Sequence, residues 1–382
     1  MQINFFDGNN KFTINKPIRL IELFGGYGSQ HFALKYLGAN VEQWRLCEWA
    51  VKSIQAYKDA HFKDDNTDYS KYFTDEYILE CLSKWGISAN YNEPMTKEQI
   101  KRLGVQKQRQ IYNNIIATHN LVNIQQAHAE NFGIVDTNYY TYVMTYSFPC
   151  QDLSLAGKQA GMEKGSGTRS GMLWEVERIL DEMSIKGKEG LPQVLLMENV
   201  PEVIGSNNIK HFAKWLEKLE SLGYHCYWQV LNAKDYGVPQ NRERCFMVSI
   251  LGDYWYEFPK KQKELNHNWV DNKSKHYYFT ENDLRKISNW KTFEKPLNDI
   301  KKYGDIIPTL VARGQISNAS MVIFDDGKGK RNLSPKECFR LMGVRDADFD
   351  NIAQNQSNAS LYHLAGDSIV VNVLMAIFKN MF

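Results

Sequence analysis

The feature that most constrains the fold of this chain is an apolar run that ends in a glycine-rich turn. Ile18–Phe24 predicts a buried strand, Gln30–Leu37 a helix with Ser29 as its cap, and Val41–Leu46 a second strand. The turn between the first strand and the helix contains three glycines: Gly25, Gly26 and Gly28. A strand–helix–strand unit with so short a first connection predicts two parallel neighbouring strands.

Further apolar runs continue this alternation of strands and helices. Two more buried strands are predicted at Tyr142–Tyr146 and Val194–Met197, and an antiparallel pair at the sheet edge at Tyr224–Leu231 and Cys245–Leu251. Helices are predicted at Met172–Ile179, His211–Leu222, Ser334–Met342 and Ile369–Phe378. The fold class indicated is α/β, with a doubly wound, Rossmann-like sheet.

Two regions interrupt the pattern. Asp64–Asn120 is polar, rich in Lys, Asn and Gln, and predicts a partly helical insertion. Trp255–Arg331 has no clear alternation of helices and strands. It contains 15 Lys and Arg and 10 Asp and Glu, so its net charge is +5, whereas that of the whole chain is +2. We therefore expect a large domain of residues 1–254 and 332–382, with residues 64–120 inserted, and a smaller domain of residues 255–331.

Composition excludes several classes of protein. No Cys-x-x-Cys pair or close Cys/His cluster occurs, so no metal site is expected. The polar start, Met1–Asn10, does not resemble a signal peptide, and no apolar run of membrane-spanning length is evident. These features favour a reduced, cytoplasmic protein that does not enter the membrane.

The turn after the first strand and the end of the second strand together indicate a cofactor site. Phe24, Gly26 and Gly28 would let a ligand approach the backbone at a helix N-terminus, although such a turn also needs glycine for steric reasons alone. Glu48 could accept hydrogen bonds from both hydroxyls of a ribose, and Trp49 could stack on an adenine. The combination favours a cofactor that contains adenosine.

A thiol and a carboxylic acid follow the next two strands. Cys150 lies in a polar loop after Phe148 and Pro149, which is unusual for a structural cysteine. Glu198 follows Val194–Met197, so both groups should lie in the crevice at the carboxyl ends of the strands. This pair suits nucleophilic attack on an electron-poor ring with acid assistance.

Two arginines precede the last strand of the predicted edge pair. In an extended segment Gln240, Arg242 and Arg244 would share a face. They could hold a carbonyl oxygen or a phosphate, or form structural ion pairs with acids of the protein.

The order of these blocks resembles the cytosine-specific DNA methyltransferases of bacteria and phages. The resemblance begins at Ile18, continues nearly to the end of the chain, and omits the insertion and most of Trp255–Asp305. It is carried by six blocks: Phe24-Gly25-Gly26-Tyr27-Gly28, Phe148-Pro149-Cys150-Gln151, Glu198-Asn199-Val200, Gln240-Asn241-Arg242-Glu243-Arg244, Asn332-Leu333-Ser334-Pro335-Lys336-Glu337-Cys338 and Gly366-Asp367-Ser368-Ile369-Val370.

The resemblance implies methyl transfer from S-adenosylmethionine to carbon 5 of a cytosine flipped out of DNA. Cys150 would attack carbon 6 and Glu198 would hold the ring nitrogen and the exocyclic amine. Arg244 would hold the ring carbonyl and Arg242 would support the loop. Gln151–Arg169, with its glycines, would close over the DNA.

The resemblance also implies cofactor and DNA contacts. Pro149 and the late pair Asp367 and Ser368 would line the cofactor site, although relatives usually have Asn where Asp367 stands. The acid that usually holds the adenine amine has no clear match, and Asn123 is the candidate. Ser147 stands where Gly is usual.

Residues 255–331 would be the target recognition domain. Thr309-Leu310 matches the family's Thr-Leu pair, and Arg313 and Gln315 after it can reach base edges. The implied partners are double-stranded DNA and a restriction endonuclease for the same site, and the enzyme is expected to be a monomer.

Three other functions agree with part of the sequence. An RNA cytosine-5 methyltransferase would usually lack so long a recognition region. A non-catalytic DNA-binding relative would have no reason to keep Cys150, Glu198, Arg242 and Arg244. A nicotinamide oxidoreductase would share the glycine turn and Glu48 but not the Cys150 and Glu198 blocks.

Overall fold

The computed structural model describes residues 10–149, 169–262, 264–271, 278–288, 298–312 and 322–382. Its centre is a six-stranded sheet of the strands β1 Ile18–Leu23, β2 Val41–Cys47, β3 Thr141–Tyr146, β4 Val194–Asn199, β5 Tyr224–Asn232 and β7 Glu243–Leu251. The order of the strands across the sheet is β2-β1-β3-β4-β7-β5. Strands β2, β1, β3 and β4 are parallel, whereas β7 runs antiparallel to both β4 and β5. The predicted α/β fold and the antiparallel pair at the sheet edge are confirmed.

Helices cover both faces of this sheet. The α-helices of the described residues are α1 Ser29–Tyr36, α2 Val51–His61, α3 Asp75–Trp85, α4 Lys97–Arg102, α5 Val105–Ala117, α6 Ala129–Phe132, α7 Leu173–Ser184, α8 Ile209–Ser221, α9 Glu281–Ser288, α10 Pro335–Leu341, α11 Asp346–Ala353, α12 Asn358–Asp367 and α13 Val371–Lys379. Short 3-10 helices occur at Ile124–Gln126, Arg169–Met172, Lys188–Gly190, Pro201–Ile204 and Ala233–Tyr236.

The apolar side chains of the parallel strands contribute to two separate core layers, because successive side chains of a strand point to opposite faces. Leu20 and Leu196 belong to the layer that contains α1 and α13. Ile21 and Leu195, their neighbours in sequence, belong to the layer that contains α7 and α8. For this reason, a strand that is covered on both faces has a continuous apolar sequence.

Two local predictions were wrong. Ser29 is the first residue of α1 rather than its cap, and the cap is Gly28 in the left-handed conformation with no side-chain cap. Glu198 does not follow its strand but lies within β4, opposite Phe246 of β7. The partner strand extends the pairing two residues beyond the apolar run, which a pattern of hydrophobicity does not reveal.

The insertion is a helical unit with its own core. Helices α3, α4 and α5 pack around Ile78, Leu82 and Ile111, and Ile54 of α2 joins the same cluster. Leu46 at the end of β2 forms a parallel bridge with Asn120, where the insertion returns to the fold. The insertion therefore contacts the end of the second strand, where the sequence predicts cofactor binding.

The region between residues 255 and 331 contains short strands and one helix among its described residues. β8 Lys301–Lys302, β10 Ile323–Asp325 and β11 Lys330–Asn332 form one small sheet, and β6 Gln240–Asn241 pairs with β9 Ile307–Pro308. Tyr256, Trp269 and Phe324 pack into the same core as the C-terminal helices. The division at residues 255 and 331 stays a prediction.

One described stretch, Asn358–Lys379, is long and apolar enough to cross a membrane by composition, with a hydropathy of 1.6. Two-thirds of its apolar window, 67%, is buried inside the fold. The stretch comprises α12 and α13, which belong to the core, so burial accounts for its apolar character. The sequence had not indicated a run of this length.

Candidate functional site

A cavity of about 420 Å³ opens at the carboxyl ends of β1, β2 and β3. Ligands of open α/β sheets bind at this edge. The cavity brings together eight of the nine residues predicted to bind a cofactor: Phe24, Gly26, Glu48, Trp49, Asn123, Pro149, Asp367 and Ser368. The ninth, Gly28, is not among the lining residues.

The turn after β1 has an unusual backbone that its glycines explain. Gly26 and Gly28 have φ of 55° and 81°, and Phe24 adopts a φ of 58° without being glycine. A Cβ on Gly28 would collide with the His61 ring and would lie 2.7 Å from Cε2 of Tyr57. Gly28 is thus required for close packing behind the turn, whereas Phe24 is held in a strained conformation of the kind that clusters at ligand sites.

Glu48 at the end of β2 is buried and held by backbone amides. Its carboxylate accepts hydrogen bonds from Gly26 N at 3.0 Å and from Ala50 N at 2.8 Å. Burial raises the pKa of Glu48 to about 7, while these hydrogen bonds act in the opposite direction. The residue therefore links the glycine turn to the end of β2 and changes its charge near neutral pH.

Asn120 fixes the backbone around Glu48 and was not found from the sequence. Its side chain accepts from Glu48 N at 3.1 Å and from Val122 N at 2.9 Å, and it donates to Glu48 O at 2.9 Å. It stands 72 residues from Glu48, at the end of the insertion. A single Asn in a polar stretch gives no signal of such a role.

The two ends of the predicted cofactor site, which would hold the adenosine and the charged tail, have different contacts. Asn123 Oδ1 caps the 3-10 helix after it by accepting from Gln125 N at 3.0 Å. At the other side, the Ser368 hydroxyl lies 2.7 Å from that of Tyr27, which is buried. An Asp367 carboxylate oxygen lies 3.1 Å from Nε2 of His363, a pair that is ionic when the imidazole is protonated.

Glu198 lies beside this cavity and is held by two side chains. The Ser147 hydroxyl donates to one carboxylate oxygen, and Arg244 Nε lies 3.2 Å from the other. Glu198 is only 6% exposed, so a charge there requires such partners. Ser147 also lines the cavity, so it joins the acid to the cofactor site.

Asn199 positions the turn that leads to the predicted nucleophile. Its amide donates to Phe148 O at 3.0 Å, across 51 residues of sequence. Pro149 follows and lines the cavity, whereas Cys150 lies outside the described residues. The sequence had indicated Asn199 only as part of a block.

Arg242 and Arg244 differ in their surroundings although they are two residues apart. Arg242 is 4% exposed and donates to three backbone carbonyls: Leu310 at 2.8 Å, Gly366 at 2.8 Å and Ser368 at 2.7 Å. It therefore joins the segment before the recognition residues to the end of α12. Arg244, by contrast, forms an ion pair with Glu198.

Of the predicted DNA-recognition residues, the structure describes Thr309. Its hydroxyl donates to Asn241 O at 2.6 Å, next to the arginine block. Arg313 and Gln315 lie outside the described residues. Within the described part of the chain, no group of three His, Cys, Asp or Glu side chains could hold a metal ion.

This geometry agrees with what comparisons with known proteins find. The family model of the C-5 cytosine-specific DNA methylases matches residues 95–382. The type II methyltransferase M2.ScrFI of Lactococcus lactis subsp. cremoris is 34% identical over 373 residues, covering 96% of this chain and 99% of that protein. The orphan methyltransferase M.SssI of Spiroplasma monobiae is 33% identical, covering 95% of this chain and 96% of that protein.

Solved structures agree in fold. The Dnmt2 methyltransferase of S. pombe superposes with a TM-score of 0.63 at 16% identity, covering 96% of this chain and 98% of that chain. The Entamoeba histolytica methyltransferase EhMeth gives the same TM-score at 17% identity. The chain belongs to the C-5 cytosine-specific DNA methylase family, and the reaction of this family is methylation of cytosine in DNA at carbon 5.

Proposed function

We propose that this enzyme transfers the methyl group of S-adenosylmethionine to cytosines within a particular DNA sequence, through a covalent bond between Cys150 and the base. The observation that carries the proposal is the position of Ser147. Its side chain lines the cavity and donates to Glu198, so a methyl donor and an acid for the acceptor ring can meet there.

The cavity fits S-adenosylmethionine in size and in chemistry. Its volume of about 420 Å³ lies within the roughly 300–1,000 Å³ usual for small-molecule sites. Glu48 would accept hydrogen bonds from the ribose hydroxyls and Trp49 would contact the adenine, whereas Asp367 would face the charged tail. When bound, the donor would supply an electrophilic methyl carbon on a sulfonium.

Cys150 and Glu198 would then act on the cytosine ring. The Cys150 thiolate forms a bond to carbon 6, and the electrons of the 5,6 double bond move toward carbon 5 while Glu198 holds ring nitrogen 3. Carbon 5 takes the methyl group. Loss of its proton to a base restores the double bond, and Cys150 leaves as a thiolate.

The two arginines would have different tasks in this reaction. Arg244 forms an ion pair with Glu198, and its guanidinium would also hold the ring carbonyl. Arg242 touches only the protein in its described contacts, so it would act by positioning residues 310 and 366–368. Asn199 would position Cys150 through Phe148.

Residues 255–331 would read the DNA sequence, with Thr309, Arg313 and Gln315 near the bases and Gln151–Arg169 closing over the flipped cytosine. The substrate would be double-stranded DNA in the cytoplasm, bound by one copy of the enzyme. A restriction endonuclease for the same site is the proposed partner. Substituting Arg313 or Gln315 should change the methylated sequence more than the affinity for the donor.

The covalent step is tested with a DNA duplex that carries 5-fluorocytosine at the target position. Fluorine cannot leave carbon 5 as the proton does, so the bond to Cys150 should persist. In the presence of S-adenosylmethionine we expect a complex that survives denaturing electrophoresis with the parent enzyme and not with Cys150→Ala. Methyl transfer without a trapped complex, or trapping by Cys150→Ala, would contradict the assignment.

A further inference from the structure

The insertion contributes one wall of the cavity, through the loop between α3 and α4. Tyr91, Asn92 and Pro94 of this loop line the cavity beside Glu48 and Trp49. Nothing in the shared blocks of the sequence indicates these residues. The insertion is therefore part of the site rather than an addition to the surface.

This loop is fixed to the segment that follows Glu48. Ser88 N donates to Trp49 O at 2.8 Å, and Val51 N donates to Ser88 O at 2.9 Å. The Ser88 hydroxyl donates to Glu93 O at 2.7 Å and lies 3.1 Å from Tyr91 N, from which it accepts. Tyr91 is held at a φ of 65°, a conformation that non-glycine residues rarely adopt.

The Tyr91 ring reaches across to α12 on the other side of the cavity. Its centroid lies 4.4 Å from that of His363, with the planes inclined by 42°. The Tyr91 hydroxyl lies 3.2 Å from the Ser53 hydroxyl, and an Asp367 carboxylate oxygen lies 3.1 Å from Nε2 of His363. Each ring thus has a polar neighbour besides the other ring.

We propose that Tyr91 and His363 are additional cofactor-binding residues, which together cover the methyl donor and slow its departure and that of the demethylated product. The inference rests on the proposed function of the cavity. It follows from the ring contact between the insertion and α12, because this contact joins two segments that line the cavity.

The test is binding of S-adenosylhomocysteine to the full chain, measured by calorimetry and by stopped-flow displacement. An aromatic pair contributes enough for Tyr91→Ala and His363→Ala each to speed dissociation roughly 2- to 10-fold. The double variant should lose little more than either single variant, since both remove one contact. Tyr91→Phe keeps the ring and should stay near the parent value.

Tyr77→Ala is the matched control, because Tyr77 lies on the same insertion, is 48% exposed and does not line the cavity. Parent-like dissociation in both Tyr91→Ala and His363→Ala, with weak binding by Glu48→Ala, would overturn this inference alone. Parent-like binding by Glu48→Ala would overturn the proposed cofactor site itself. His363→Ala, on a different element, keeps the test valid if Tyr91→Ala does not fold.

Discussion

Replacement of Arg242 by Met should destabilise the fold more than the same replacement of Arg244. Arg242 is buried and donates to three backbone carbonyls, and each hydrogen bond to a charged group contributes about 1.5–3 kcal/mol. The three bonds share one side chain and do not add fully, so we expect a loss of about 3–5 kcal/mol. Met keeps the apolar stem, which confines the change to the lost hydrogen bonds.

The assay is thermal unfolding of both variants beside the parent. A chain of 382 residues has an unfolding entropy of about 0.8 kcal/mol/K, so 3–5 kcal/mol corresponds to a fall in Tm of about 4–6 °C. Arg244 has a side chain that is 17% exposed and forms one ion pair with the buried Glu198, which keeps its hydrogen bond from Ser147 when Arg244 is replaced. Arg244→Met should therefore lower Tm by less than Arg242→Met while it abolishes most activity. Equal Tm values for Arg242→Met and the parent would refute the assigned role of Arg242.

Three further predictions concern the site. Ser147→Ala removes one hydrogen bond to the Glu198 carboxylate, so kcat should fall about 10-fold while donor affinity is unchanged, and a parent-like kcat would contradict this. Because burial raises the pKa of Glu48 to about 7, its carboxylate becomes ionised only as the pH passes that value. The affinity for the donor, measured by calorimetry, should therefore rise from pH 6 to pH 8. Glu48→Gln should remove the part of this rise that Glu48 causes. An identical pH dependence in Glu48→Gln and the parent would exclude Glu48 as its source. Asn120→Ala should weaken donor binding several-fold by releasing the backbone around Glu48, and unchanged calorimetric affinity would show that this support is dispensable.

The local features of the fold could be predicted from the sequence, because they depend on short patterns. The glycine turn after β1 and the apolar runs of the parallel strands define the sheet edge at which ligands bind. Phe24, Glu48 and Trp49 all lie there because each stands within two residues of the end of a strand. A position at a strand end is visible in the sequence before the fold is known.

The contacts that complete the site could not be predicted in this way, since they join distant segments. Asn120 supports Glu48 across 72 residues, and Ser147 meets Glu198 across 51. Tyr91 depends on how a whole helical insertion packs against the end of β2. Glu198 was placed after its strand because an apolar run ends before it, whereas pairing with β7 continues. Hydrophobic periodicity predicts which residues are buried, but it does not identify the partner of a polar side chain.

The central claim is that this chain methylates cytosine in DNA through Cys150. The most direct measurement is to incubate the protein and its Cys150→Ala variant with plasmid DNA of mixed sequence and S-adenosylmethionine, and then to sequence the product for 5-methylcytosine. We predict 5-methylcytosine at one recurrent sequence with the parent protein and none with the variant. Methylation by Cys150→Ala, or no 5-methylcytosine with a parent protein that binds the donor, would contradict the account.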